Sequence, residues 1–275
     1  MLYGLFDDFT FGTYDVNTGE RRSFAPGALP DTPISEATSS DGTLLLLGFR
    51  DGHAVEYETS TGRVLQTVQV PKTSSGYQSS VDYMALSADH SRIYVSGQGL
   101  HSFDAASGDE IAQNNDGAIG YVAVGPSGVV IASSYDGSLD IFDPDTLAQQ
   151  GSLTGARGYI QQTAFSDDGT LLLAGGNDGR VLLFDLESRT RLGDPIETGR
   201  SHAISLRSDG HEAAIGFGVQ SGVGLWSLEP DHWVTAACAI AGRNLTTDEW
   251  STYVGDLGDY QPTCPEYPAA ETGTA

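Results

Sequence analysis

An aromatic residue followed by an acid recurs through this chain at a nearly fixed interval: Tyr14-Asp15, Tyr57-Glu58, Phe103-Asp104, Phe142-Asp143 and Phe184-Asp185, with Trp226-Ser227 closing the series. Successive pairs stand 43, 46, 39, 42 and 42 residues apart. A second ladder precedes each later pair: Ser40-Asp41-Gly42, Ser87-Ala88-Asp89, Pro126-Ser127-Gly128, Asp167-Asp168-Gly169 and Ser208-Asp209-Gly210. Two ladders in step mean one unit used repeatedly. Such a unit buries its apolar faces by stacking on its neighbours.

The unit reads as four short strands. Between Tyr159 and Glu197, residues 160–165 form an inner strand, Asp167-Asp168-Gly169 a tight turn in which glycine tolerates positive φ, and residues 171–174 a second strand. Asn177-Asp178-Gly179 turns again into a third strand over 181–184, and residues 188–190 lead to a more polar outer strand. The second strand is continuously apolar, as a strand packed on both faces must be. The outer strand is polar because it forms the exposed edge of its sheet. Runs that alternate with period two or are continuously apolar do not fit helical repeats of similar length. A period of about 40–45 residues belongs to β-propeller blades. The predicted fold is therefore all-β, a β-propeller over residues 1–229, with helix only in a tail over 230–275.

Six units are recognisable, and the first is incomplete. Residues 2–5 match a second strand and 9–14 a third, with no inner strand before them; residues 203–206, 212–217 and 222–228 give the last unit three strands. The expectation is that Met1 is an internal boundary, from a truncated gene model, an excised segment or a split gene, and that the intact propeller has seven blades.

Composition narrows the function. With 37 acidic residues against 13 basic ones, the formal net charge is −24, which opposes binding to phosphate backbones and anionic lipid. The acids serve mainly as a solvated, self-repelling surface; a basic partner is the alternative. Lys72 is the sole lysine, a skew attributable to a GC-rich genome; the acids also fit a salt-loving host. No run approaches the length of a membrane span, and no signal peptide is visible.

Residues 153–185, "LTGARGYIQQTAFSDDGTLLLAGGNDGRVLLFD", resemble a WD40 repeat. Gly155 stands where that family's Gly-His begins and Phe184-Asp185 where its Trp-Asp ends. Ala156 replaces the histidine, so the family's histidine–aspartate relay is missing from this unit. Elsewhere Phe or Tyr replaces Trp, except at Trp226, which lacks the acid. The resemblance covers residues 1–228.

After Leu228 the pattern changes. Pro230 opens a predicted helix with Trp233, Ala237, Ile240 and Ala241 on one face and Gly242 beyond its end. Thr246-Thr247-Asp248-Glu249 forms a capping box for a second, which carries Trp250, Tyr253 and Val254. Trp233, Trp250 and Tyr253 are expected to bury against the propeller. Ala237-Cys238, residues 240–246, Glu249-Trp250, Tyr253 and Thr263-Cys264-Pro265 resemble the ending of bacterial regulators of the STAND class. That resemblance implies a C-terminal, cytoplasmic WD40 sensor or interaction segment, preceded by an NTPase core and an effector, often a transcriptional activator. Its partners would be proteins, including those upstream domains.

No catalytic, cofactor-binding or metal-ligating set emerges from the sequence. There is no phosphate-binding G-x-x-x-x-G-K-[ST], no G-x-S-x-G and no S-x-x-K. His53, His90, His101, His202, His211 and His232 are scattered without ligand spacing. Asp7-Asp8, Asp143-Pro144-Asp145 and Asp167-Asp168 miss the calcium-loop register and suit turns. The Asn244-Leu245-Thr246 sequon is better read as part of a helix cap. Cys238 and Cys264 read either as two reduced thiols or as a disulfide clasp on the tail. A lactonase- or dehydrogenase-like propeller enzyme, or a stand-alone ligand-binding propeller, is the alternative to an interaction module. An enzyme would need converging ionisable groups on the inner strands, where Asp82 is the one expected.

Overall fold

Among the described residues, hydrogen bonding sorts the strands into six antiparallel sheets that follow one another along the chain. The structure is a computed structural model. It describes residues 2–5, 11–15, 18–24, 31–72, 80–117, 119–134, 136–199, 203–207, 209–217, 222–255 and 258–269. The first sheet holds β1 (Leu2–Leu5), β2 (Phe11–Tyr14) and β3 (Arg21–Phe24). The second holds β4 (Ser35–Thr38), β5 (Leu44–Gly48), β6 (His53–Glu58) and β7 (Arg63–Gln69), and the third β8 (Tyr83–Leu86), β9 (Arg92–Ser96), β10 (Leu100–Asp104) and β11 (Glu110–Asn114). The fourth contains β12 (Ile119–Val124), β13 (Val130–Ser134), β14 (Leu139–Phe142) and β15 (Gln149–Leu153), and the fifth β16 (Ile160–Phe165), β17 (Leu171–Gly176), β18 (Arg180–Asp185) and β19 (Thr190–Glu197). The sixth has β20 (Ile204–Leu206), β21 (Glu212–Phe217) and β22 (Gly222–Ser227). Inner strands β4, β8, β12, β16 and β20 lie side by side in that order. This is the propeller arrangement predicted from the repeat.

Each ladder of the sequence has a physical cause. In four units the first ladder's aromatic is a core residue: Tyr57, Phe103, Phe142 and Phe184 are buried on third strands, whereas Tyr14 and Trp226, at the two ends of the series, are exposed. Its acid makes the following turn. Asp104 accepts the N–H groups of Ala106 and Ser107, Asp143 those of Asp145 and Thr146, and Asp185 that of Ser188. In the second ladder, Asp41 accepts from Ser39 Oγ at 2.7 Å and Thr43 N at 2.9 Å, and Asp168 repeats this with Ser166 and Thr170. Those bonds favour the ionised acid and hold the carboxyls of Asp41 and Asp89 down to about 2. The turn also needs a left-handed residue, supplied by Gly42 at φ 70° and Gly169 at φ 71°. His90 takes the same conformation, at φ 59°, in the turn that lacks glycine.

The sheets are stitched as well as stacked. Ser35 Oγ donates to Val81 O, Gln66 Nε2 to Ala106 O, Arg92 to Pro144 O and Asp145, and Arg189 to Gln150 O. Where the second and third sheets meet, a Cβ at Gly48 would come within 2.3 Å of Ser35 Oγ and 2.4 Å of Val81. Only glycine permits that approach. Where Ala156 stands in place of histidine, Asp178 Oδ2 accepts the N–H of Arg157 at 3.0 Å and still ties the incoming loop to the sheet.

The sixth sheet ends differently. Leu228 N–H donates to His211 O, and β22 runs antiparallel to β21. Alternation of the ladder therefore turns the backbone groups of Val223, Leu225 and Ser227 away from β21. Val223 and Leu225 are 71% and 68% exposed, whereas Val181 and Leu183 at the same places on β18 are 1% and 9% exposed. Among the described residues no fourth strand covers this edge.

In place of a fourth strand come α1 (Pro230–Ala241) and α2 (Thr247–Tyr253). Gly242 closes α1 at φ 66°, and the predicted capping box opens α2. The residues behind the tail's sequence resemblance hold it together. A disulfide joins Cys238 to Cys264, which decides between the two readings of that pair. Asn244, 1% exposed, reaches the carbonyls of Cys264, Tyr267 and Pro268 and accepts the N–H of Cys264. Arg243 grips Glu249 through two 2.7 Å bonds, which hold that carboxyl at about 2. Trp250 packs edge-on against Tyr260. Burial departs from expectation: Trp233 is 45% and Tyr253 77% exposed. The disulfide and the Asn244 bonds give the tail an interior of its own, so those rings need not supply one. Its start is tied to the last sheet by Trp233 Nε1 donating to Ser227 O at 2.6 Å and by the His211–Glu229 pair.

Two outcomes follow from this architecture. Gly169→Ala places a Cβ on a left-handed residue and lowers stability by about 1–2 kcal/mol, measured by urea unfolding. Replacing Cys238 and Cys264 together by Ser opens a loop of sequence separation 26. It costs the tail about 3 kcal/mol, seen as lost amide-exchange protection in α1 and α2 while β16–β19 keep theirs.

Candidate functional site

The inner strands surround a central channel, and their side chains decide what it can hold. Near the turns that end these strands lies a cavity of about 670 Å³, lined by Glu36, Tyr83, Tyr121, Thr163, Phe165 and Asp167 among others. Toward the starts of the strands lies one of about 510 Å³, lined by Glu36, Asp82, Tyr83, Tyr121, Gln161 and Gln162 among others. A third, of about 420 Å³, adjoins Arg50, Ser80, Asp82 and Tyr159. Glu36, Tyr83 and Tyr121 line both larger cavities and so form the waist between them.

Each waist residue is placed by its strand. Glu36 sits on β4, whose neighbour Ser35 is tied to Val81 at 2.6 Å. Tyr83 on β8 and Tyr121 on β12 meet edge to face, with ring centres 5.4 Å apart. Glu36 is exposed to the channel, yet partial desolvation by the surrounding protein raises its carboxyl above the ordinary range. Burial likewise raises the Tyr121 hydroxyl, opposed by hydrogen bonding to Thr163. Asp82 accepts Ser80 Oγ at 2.6 Å. On β16, Gln162 Oε1 accepts the N–H of Ile204 at 3.0 Å and joins that strand to β20, the last inner strand.

Sequence reasoning found Asp82 and missed Glu36. The signal was available: the inner strand ends just before Ser39 at the head of its turn. Counting back three residues gives Glu36, as it gives Met84 before Ser87 and Thr163 before Ser166.

The scattered histidines sit beside carboxylates rather than around the channel. His53 contacts Asp51 at 2.8 Å, buried His101 contacts Glu110 at 2.6 Å, and His90 lies 3.9 Å from Asp41. His211 and His232 flank the two oxygens of Glu229. His202 and Asp7-Asp8 lie outside the described residues. Asp143 and Asp168 accept turn N–H groups, and Asp145 pairs with Arg92 at 2.6 Å.

Comparison with known proteins agrees with this architecture. The family model described as "WD domain, G-beta repeat" matches residues 148–185, a span running from β15 through β18. Over 116 residues the chain is 29% identical to the small ribosomal subunit protein RACK1 of Medicago sativa, covering 39% of this chain and 35% of that protein. Over 57 residues it is 35% identical to the small ribosomal subunit protein RACK1y of Oryza sativa subsp. japonica, covering 21% of this chain and 17% of that one. The chain thus spans about a third or less of the length of these curated relatives. A chain in the crystal structure of a mitotic checkpoint complex superposes with a TM-score of 0.66 at 16% identity, over 80% of this chain and 68% of that one. That likeness is one of fold.

Ser35 couples the channel wall to the neighbouring sheet, so Ser35→Ala leaves Val81 O without its donor. The expected cost is about 1 kcal/mol, measured as a lower urea midpoint with an unchanged slope.

Proposed function

We propose that this chain is a non-catalytic protein-interaction and sensor module, the C-terminal WD40 part of a bacterial STAND-type signalling or transcriptional regulator. The observation that carries the interaction reading is the set of repeated sheets around a channel, one unit of which matches the WD repeat. Repeats of this kind build broad surfaces from short, stacked units. Support for the finer assignment comes from the tail, where the residues of the STAND-like ending are those that make the disulfide, the Asn244 bonds, the Arg243–Glu249 pair and the cap.

This reading divides the chain at residue 229 into a propeller and a helical tail held against it. Its partners are proteins, the NTPase and effector domains of the same polypeptide among them. The net charge of −24 opposes nucleic acid and anionic membrane surfaces. No helix among the described residues is long and apolar enough to cross a membrane. A cytoplasmic setting follows from the STAND resemblance, and the Cys238–Cys264 disulfide pulls the other way, since disulfides persist mainly in oxidising compartments.

The test has two arms. The coding sequence upstream is read, and any in-frame NTPase segment is purified and titrated against this chain by calorimetry. Saturable, stoichiometric binding is the expected result. An upstream frame without an NTPase overturns the STAND assignment. If no purified protein binds, including proteins captured on the immobilised chain and then repurified, the interaction reading falls.

A further inference from the structure

Among the described residues, the waist of the channel holds a charge without a counter-charge. Glu36 lines both larger cavities, and among the described residues neither lining contains a lysine, arginine or histidine. The remaining acids there, Asp82 and Asp167, add to the same sign. Arg50 borders the third cavity, which Glu36 does not line. Among the described residues the Glu36 carboxylate has neither a hydrogen bond nor an ion pair, and the protein around this exposed group acts on it through partial desolvation. The Glu36 side chain is exposed to the channel, so a positive group that enters can approach the carboxylate directly and be held by its charge.

The neighbouring surface suits such a group. Tyr83 and Tyr121 stand in both linings, and their perpendicular rings put aromatic surface next to the carboxylate. An ammonium or guanidinium is attracted to a tyrosine face as well as to a carboxylate. The net charge of −24 draws cations toward the whole molecule. We infer that the Glu36–Tyr83–Tyr121 waist receives one cationic side chain, lysine or arginine, carried on a basic segment of a protein partner. The idea rests on the interaction reading above and names the partner's chemistry. A long, flexible side chain can cross the cavity of about 670 Å³ and place its charged end at Glu36, while the peptide backbone stays at the channel mouth.

The test uses the full chain and five probes at matched ionic strength. Three are eight-residue Gly/Ser peptides carrying one central arginine, lysine or citrulline; two are free guanidinium and butylammonium. Affinities are measured by calorimetry. Arginine and lysine peptides are expected to bind saturably, and the citrulline peptide at least tenfold more weakly. Glu36→Gln weakens both cationic peptides about tenfold and leaves the citrulline peptide unchanged. No partner to the Glu36 side chain is lost in that variant, so its melting temperature stays at or above the wild-type value. Equal binding of the citrulline peptide to the wild-type chain overturns the inference without any variant. It is also overturned by unchanged affinity in Glu36→Gln, by no peptide binding at all, or by free guanidinium or butylammonium binding as tightly as the peptides. A purified protein partner that binds Glu36→Gln as well as wild type removes this site and leaves the interaction reading standing. Peptide binding in a chain that takes up no protein partner does the reverse.

Discussion

Each sheet in the body of this molecule has two apolar faces, so none of them can be stable alone. Ile131 and Leu139 of the fourth sheet share one cluster with Leu172, Leu182 and Phe184 of the fifth. Val181 and Leu183 on the fifth sheet's next face share another with Ile204, Ala213 and Ile215 of the sixth. Burial of each face is a gain that the neighbouring sheet supplies, at roughly 25 cal/mol per Å² of apolar surface. The polar stitches fix the register of neighbours that this burial brings together, and the channel is what remains between inner strands that each touch only their neighbours. The waist of Glu36 and two tyrosines therefore exists because the outer parts of the sheets are packed tightly.

Much of this was legible in the sequence because it is local chemistry repeated. Gly169, Asp168 and Ser166 make their turn from residues within a few positions of one another, and Phe184-Asp185 combines a core anchor with the first residue of the next turn. The strand over 160–165 matches to the residue, while that over 171–174 runs two residues further at its end and that over 181–184 one residue further at both ends. The capping box of α2 was equally plain, since its two partners are three residues apart.

What the sequence left open involves residues distant along the chain. Cys238 and Cys264 were two thiols or one bond until the tail's path was known. Asn244 reads from sequence only as the first residue of a formal sequon whose Thr246 serves as a helix cap, yet its amide holds three carbonyls some twenty residues away. Trp233 and Tyr253 looked like anchors because large rings usually are. Their exposure follows from an interior already filled by a disulfide and an asparagine, which no local pattern announces. Glu36 escaped notice because the channel is formed by five strands from five units.

The side-by-side order of the inner strands has a consequence for how disturbance spreads. Contacts run from sheet to sheet between the second and the sixth, so stability there behaves as a row of units coupled to nearest neighbours, and a local loosening fades with distance along the row. The tail is fastened to the sixth sheet, whose far face has no cover among the described residues. A force applied to the tail thus enters the row at a member held from one side only. It would be spent on peeling β22 from β21, well before it reached the strands around Glu36.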